Sequence, residues 1–210
     1  MSENQTKKTT NQQFDEVISE SRIVFQKKLE DYGPSWRVLR KESVLDQLFI
    51  KLSRIRNLQD GISQQVNSIG DDIVSEFKGV LNYGIIALIQ DACNNPTASP
   101  SESVEEIMTL YDQQTATIKE LMQRKNHDYG EAWRSMCQKS FVDLALTKLF
   151  RIKQIYNNNN QALNSEPASE NYKDICNYTV FALILIYEQT IWLVQQVYTR
   201  RIFLPGVFLL

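Results

Sequence analysis

Five side chains in the last third of the chain have the types and spacing to handle a phosphorylated substrate. In "SENYKDICNYTVFALILIYEQ", Glu170 and Asp174 stand four apart and Asn177 follows three later, which puts all three on one helical face. Lys148 and Arg151, three apart in "TKLFRI", supply two cations from the preceding helix. One arrangement pairs acids with cations directly, because an unpaired buried carboxylate is costly. In the other, Glu170 and Asp174 hold a divalent cation, and Lys148 and Arg151 hold phosphate oxygens. A metal so placed would serve as Lewis acid and water activator.

The stretch "KNHDYGEAWR" (125–134) adds Lys125, Asp128, Tyr129 and Trp133. Tyr129 and Trp133 are either core packing or a surface on which a base stacks while its phosphates meet positive charge. Lys125 and Asp128 either pair across a helix end or help to order such a site. His127, the single histidine, reads as a solvated loop residue.

The same motif stands 97 residues earlier as "KLEDYGPSWR" (28–37), with Glu30 in place of His127. The offset of 97 persists from "SVLDQLFIKLSRI" to "SFVDLALTKLFRI", and becomes 95 between "LNYGIIALI" and "CNYTVFALI". Such matching indicates a duplication with a loop deletion. Apolar positions recur at three and four, and the whole chain has seven glycines and five prolines, so each copy reads as three helices. The expected architecture is all-α: two pseudo-symmetric three-helix repeats packed as one bundle. Residues 1–13 read as a disordered tail, 14–94 as repeat 1, 95–101 as a linker, 102–200 as repeat 2, and 201–210 as an apolar tail.

Finer signals set the elements. Ser99, Pro100 and Glu102 resemble a capping box opening the first helix of repeat 2, which should run to about Asn126 before an Asp-Tyr-Gly turn. Ser43 with Asp46, and Ser140 with Asp143, read as mutual caps at helix starts. In repeat 1, Ser75 and Gly79 replace Glu170 and Asp174, while Lys51, Arg54 and Asn82 remain. That copy should be degenerate, inactive or a contributor to a composite site. The persistence of its basic pair favours anion binding or a shared packing role over simple pairing.

A net charge of −2 gives no reason to expect nucleic acid as partner. Cys93, Cys137 and Cys176 lack CxxC spacing and read as buried, reduced thiols of a cytoplasmic protein. Glu188, Gln189, Gln195 and Gln196 interrupt the longest apolar run, so a core helix is expected there, not a membrane span. The apolar end "RRIFLPGVFLL" suits docking on the domain or a homo-oligomer contact. Phosphate-binding glycine loops, HExxH, zinc-spaced Cys/His and GxSxG motifs do not occur.

At "DYG-x-x-W", "K-x-x-R" and Asp174-x-x-Asn177-Tyr178 the sequence resembles the nucleotide-modification-associated domain, type one, in two tandem copies over residues 14–200. The resemblance implies a small helical domain connected with nucleotide modification. More distantly, the copies are similar to MazG-type all-α pyrophosphohydrolases, which hold magnesium on helix-borne acids and cleave between α- and β-phosphates. Their ExxE and ExxD pairs are not reproduced, since Glu170 and Asp174 are spaced ExxxD. These likenesses imply magnesium-assisted cleavage of a nucleoside triphosphate or modified deoxynucleotide. Glu170 and Asp174 would hold metal, Asp128 would assist, and Lys125, Lys148, Arg151, Tyr129, Trp133 and Asn177 would bind the nucleotide. The rival expectation is a non-enzymatic helical module that assembles through its C-terminus.

Overall fold

A computed structural model describes residues 8–62, 69–93, 102–158 and 167–203, with the side chains of 69–72 and 194–203 outside that description. Among the described residues all regular structure is helical. Helix α1 (Thr10–Tyr32), a 3-10 turn (Ser35–Val38), α2 (Lys41–Gln59) and α3 (Ile69–Ala92) form repeat 1. Helix α4 (Val104–Tyr129), a second 3-10 turn (Ala132–Ser135), α5 (Gln138–Asn157) and α6 (Ala168–Phe203) form repeat 2. The all-α, duplicated architecture is the one expected.

The element starts differ from the sequence reading, and the caps show why. Thr9 accepts from the backbone N–H of Gln12, whose side chain returns to Thr9, so α1 begins at Thr10 and residues 8–13 are not a tail. Ser103 and Glu106 close the corresponding box on α4. Ser99 and Pro100 lie outside the described residues, and Glu102 binds Arg37 instead of closing a box. Helices α2 and α5 begin two residues before Ser43 and Ser140, after extended Arg40 and Cys137, with no side-chain cap. Asp143 meets Arg56 instead. Gly33 and Gly130 end α1 and α4 at φ 62° and 61°, a backbone region that a Cβ makes costly. The second of these helices thus runs past Asn126 to Tyr129.

The two repeats share one core. Helices α3 and α6 pack against each other at the centre, α2 lies on α3 and α5 on α6, and α2 meets α5. Helices α1 and α4 each contact both central helices, α3 and α6, and touch each other. Gly84 makes the central crossing close, because a Cβ there would lie 2.6 Å from the Cys176 sulfur. Leu48, Leu52, Ile55, Leu81, Ile85 and Ile89 are fully buried around it, each contributing about 1.5–3 kcal/mol of hydrophobic stabilisation.

Both motif arginines tie one repeat to the other. Arg37 grips Glu102 through Nε and Nη2, each at 2.6 Å. Arg134 donates to Thr10 at 2.6 Å and Gln13 at 2.7 Å, and pairs with Glu131 and Glu188. Each arginine therefore anchors its turn beside the start of the other repeat's first helix. Of the thiols expected to be buried, Cys176 is, Cys93 is half-buried and Cys137 is exposed. Among the described residues no helix is long and apolar enough to cross a membrane.

Candidate ligand site

Repeat 2 brings part of its expected site together, in an unexpected form. Asp174, whose side chain is 3% exposed, receives the Lys125 ammonium on one carboxylate oxygen and Lys148 on the other, the latter at 2.8 Å. Glu170 pairs with Lys173 of its own helix at 2.7 Å. Arg151 donates to Gln154 at 3.4 Å, and Asp128 lies exposed beside His127. His127 itself is exposed, in the last turn of α4 rather than in a loop. This set does not suit a divalent cation: both oxygens of the buried carboxylate already bear ammonium groups, whose charge opposes a second cation. Among the described residues no group of three or more His, Cys, Asp and Glu side chains converges.

Of the two aromatic positions, Trp133 is closed and Tyr129 is open to solvent. Trp133 is buried and stacked on Phe181, centroids 4.3 Å apart and planes 7° from parallel. The Arg134 guanidinium lies over the Trp133 ring at 4.3 Å. Two groups at that distance cannot share one face, so the indole is sandwiched. Tyr129, expected in the core or on a base, is 75% exposed.

Asn177 has a packing role. Its amide donates to the carbonyl of Ile118 at 3.2 Å, and the equivalent Asn82 donates to the carbonyl of Ser21 at 3.1 Å. Ser21 and Ile118 are 97 apart, so one bond, helix three to helix one, is written twice. The acceptor ends differ. Asn82 Oδ1 accepts from Tyr111 at 3.0 Å, whereas Asn177 Oδ1 is buried without a partner. Tyr111 corresponds to Phe14, which has no hydroxyl to give. Burial pushes the Tyr111 phenol far up, keeping it a donor. Burial likewise raises the Cys176 thiol, with Asp174 adding to the effect.

Repeat 1, expected to be degenerate, holds a cavity of about 800 Å³ at the same place. Lys28, Lys51 and Lys78 line it with Glu76, Asn82, Tyr32, Trp36 and Tyr83. Gly79 and Ile86 stand where repeat 2 has Asp174 and Phe181. Lys51 reaches toward the vacated position, its Nζ 3.0 Å from where a Gly79 Cβ would be, and pairs with Glu76 at 3.2 Å. Arg54 pairs with the other Glu76 oxygen at 3.0 Å. Glu76 therefore supplies the acid that the sequence reading found missing, so persistence of Lys51 and Arg54 does not by itself argue for an anion. Lys28 is exposed and makes no ion pair among the described residues. Trp36 has one face under Arg37, 4.7 Å away, and also borders the cavity.

Sequence reasoning gave no site role to Glu76 or Lys78, nor to Lys28 and Tyr83, although the last two repeat at Lys125 and Tyr178. Comparing the copies by volume would have found them. Gly for Asp and Ile for Phe, seven residues apart on one helix, remove bulk from one face.

Fold and cavity together define a duplicated, all-α protein whose two halves share one core and whose first half holds a cavity. A family model described as nucleotide modification associated domain 1 matches residues 28–90 and again 125–186, and the chain belongs to that family. No curated protein and no solved structure matches the chain, so kinship with the all-α pyrophosphohydrolases is not shown.

Proposed function

We propose that this protein binds a nucleotide in the cavity of repeat 1. What carries the reading is the lining: aromatic Trp36, Tyr32 and Tyr83 beside Lys28, Lys51 and Lys78, around about 800 Å³. That volume falls within the ~300–1,000 Å³ usual for small-molecule sites. Flat apolar surfaces suit a base, and ammonium groups suit phosphates. Membership of a family associated with nucleotide modification agrees with this chemistry. Binding, not cleavage, is the activity supported, because Glu76, the acidic side chain lining the cavity, is occupied by Lys51 and Arg54.

Calorimetric titration and thermal shift with the four ribonucleoside and four deoxyribonucleoside triphosphates test this. A ligand at a hundred times its Kd stabilises the native state by about 2.7 kcal/mol, a plain rise in melting temperature. No binding and no shift with any of the eight would overturn the reading. Phosphate release measured alongside reports any turnover.

A second reading, assembly, has an observation of its own. Ile191, Trp192 and Leu193 are consecutive and all more than half exposed near the end of α6. Light scattering of the full chain over a range of concentrations checks it: a mass of one chain throughout would remove assembly from consideration.

A further inference from the structure

We propose that repeat 2 is a self-filled version of the repeat 1 site, so that Phe181 and Asp174 mark where a nucleotide's base and phosphates lie against Trp36 and beside Lys28 and Lys51. The proposal rests on the nucleotide reading above and adds to it an orientation for the ligand.

The correspondence is positional. Lys125 and Lys148 of repeat 2 are Lys28 and Lys51 of repeat 1, Trp133 is Trp36, Asp174 is Gly79 and Phe181 is Ile86. In repeat 2 the two lysines close on the two oxygens of one carboxylate, an anion tethered to the protein. In repeat 1 the tethered anion is gone. Lys28 is left without an ion pair among the described residues, and Lys51 turns to Glu76 over the bare Gly79 backbone. With Lys51 swung off Gly79, where its stem lies 3.0–3.1 Å from the place of a Cβ, a phosphate seated there would give both lysines the kind of partner Asp174 gives their counterparts.

The aromatic half follows the same logic. Trp133 is sandwiched between the Arg134 guanidinium and the Phe181 ring. Trp36 retains its guanidinium in Arg37, but the smaller Ile86 lines the cavity where a ring would be. A planar base on Trp36 would restore the guanidinium–indole–ring stack. Asp174 and Phe181 are seven residues apart on α6, two turns and about 10 Å along the axis. A nucleoside carrying a phosphate chain bridges such a span; a free nucleoside or an inorganic phosphate fills one end of it.

The test plugs repeat 1 with what repeat 2 already carries. With the full chain and the tightest-binding triphosphate, Gly79→Asp should weaken binding at least tenfold, and Ile86→Phe by a similar factor. Gly79→Asn, of the same shape without the charge, should weaken it less than Gly79→Asp. Equal losses would mean crowding alone and would overturn the placing of the phosphates. Lys28→Ala, a change at an exposed side chain that leaves folding alone, should cost about tenfold toward the triphosphate. Wild-type affinity in Lys28→Ala, or in folded Gly79→Asp and Ile86→Phe, overturns this inference while the nucleotide reading stands. A wild-type protein that binds none of the eight triphosphates overturns both.

Discussion

Trp36 and Trp133 hold the same position in two copies of one motif, with an arginine over each, yet one borders a cavity and the other is packed shut. The backbone does not cause the difference, since the 3-10 turns, the turn glycines Gly33 and Gly130 and the helix order repeat. Two side chains do. Phe181 and Asp174 fill repeat 2 with a ring and a carboxylate; in repeat 1 Ile86 is smaller than that ring, and the stem of Lys51 lies over Gly79 where the carboxylate would begin. A duplicated fold can thus keep its frame in both halves and reserve a cavity in one, the closed half adding stability to a core that both share.

The largest expected effect separates the two tryptophans. Trp133→Ala removes a buried, stacked ring and should cost about 3–5 kcal/mol, the range for large core aromatics. Trp36→Ala takes away a half-buried ring beside open space and should cost roughly half as much. Chemical denaturation of both variants measures the gap. Equal losses would mean that the two halves are packed alike and that the cavity has no energetic counterpart.

Next in size is the contrast between the two acids. Asp174→Ala frees two lysines from a buried carboxylate. Since each charge-assisted bond is worth ~1.5–3 kcal/mol and both ammonium groups can reach water, the loss should be about 2 kcal/mol. Glu76→Ala breaks longer pairs to Lys51 and the exposed Arg54, and should cost about 1 kcal/mol or less. A reversed order would show that Glu76, not Asp174, is the principal electrostatic anchor.

These contrasts also mark how far the sequence could be read. The duplication, the six helices and the glycine turns were all legible, because they are set by periodicity and by identical residues at a constant offset. That Asp174 and Lys148 lie together was legible as well, since both sit at helix positions that the fold must bring close. Lys125 as the second partner was not, because its contact crosses from α4 to α6. The location of the cavity was not legible either. Charged residues draw attention to where chemistry is crowded, while an open site is defined by what Gly79 and Ile86 lack. Helix starts slipped by two to four residues for local reasons: Thr9 and Ser103 close the boxes on α1 and α4, while α2 and α5 start after Arg40 and Cys137 with no side-chain cap to mark them.

A smaller effect would sharpen the comparison at its centre. Asn177 Oδ1 lacks the donor that Tyr111 gives Asn82, because Phe14 stands in that place. Phe14→Tyr should complete the second copy of the bond and stabilise the protein by about 1 kcal/mol, the usual net value of one hydrogen bond. The reciprocal Tyr111→Phe should destabilise it by at least as much, since it leaves Asn82 Oδ1 buried and alone. If Phe14→Tyr melts lower than wild type, the two asparagines are not equivalent in their surroundings.

The smallest effect is a pH dependence centred on Glu20 of repeat 1. Lys78, on the cavity wall, pairs across to Glu20 of α1 at 2.7 Å, and Tyr187 of α6 donates to the same carboxylate at 2.7 Å. The equivalent of Glu20 in repeat 2 is Thr117, and Lys173 pairs within its own helix instead. Burial alone would raise the Glu20 carboxyl, but the bonds from Lys78 and Tyr187 outweigh it and hold it below its usual 4.5. A carboxylate held lower in the folded chain than in the unfolded one stabilises the fold above pH 4.5, and that contribution fades as acid protonates it below. Melting temperatures of wild type and Glu20→Gln should therefore differ modestly near neutrality and converge as pH falls through this range. A constant difference at every pH would mean that Glu20 acts by shape, and that its charge does not hold the cavity wall to α1 and α6.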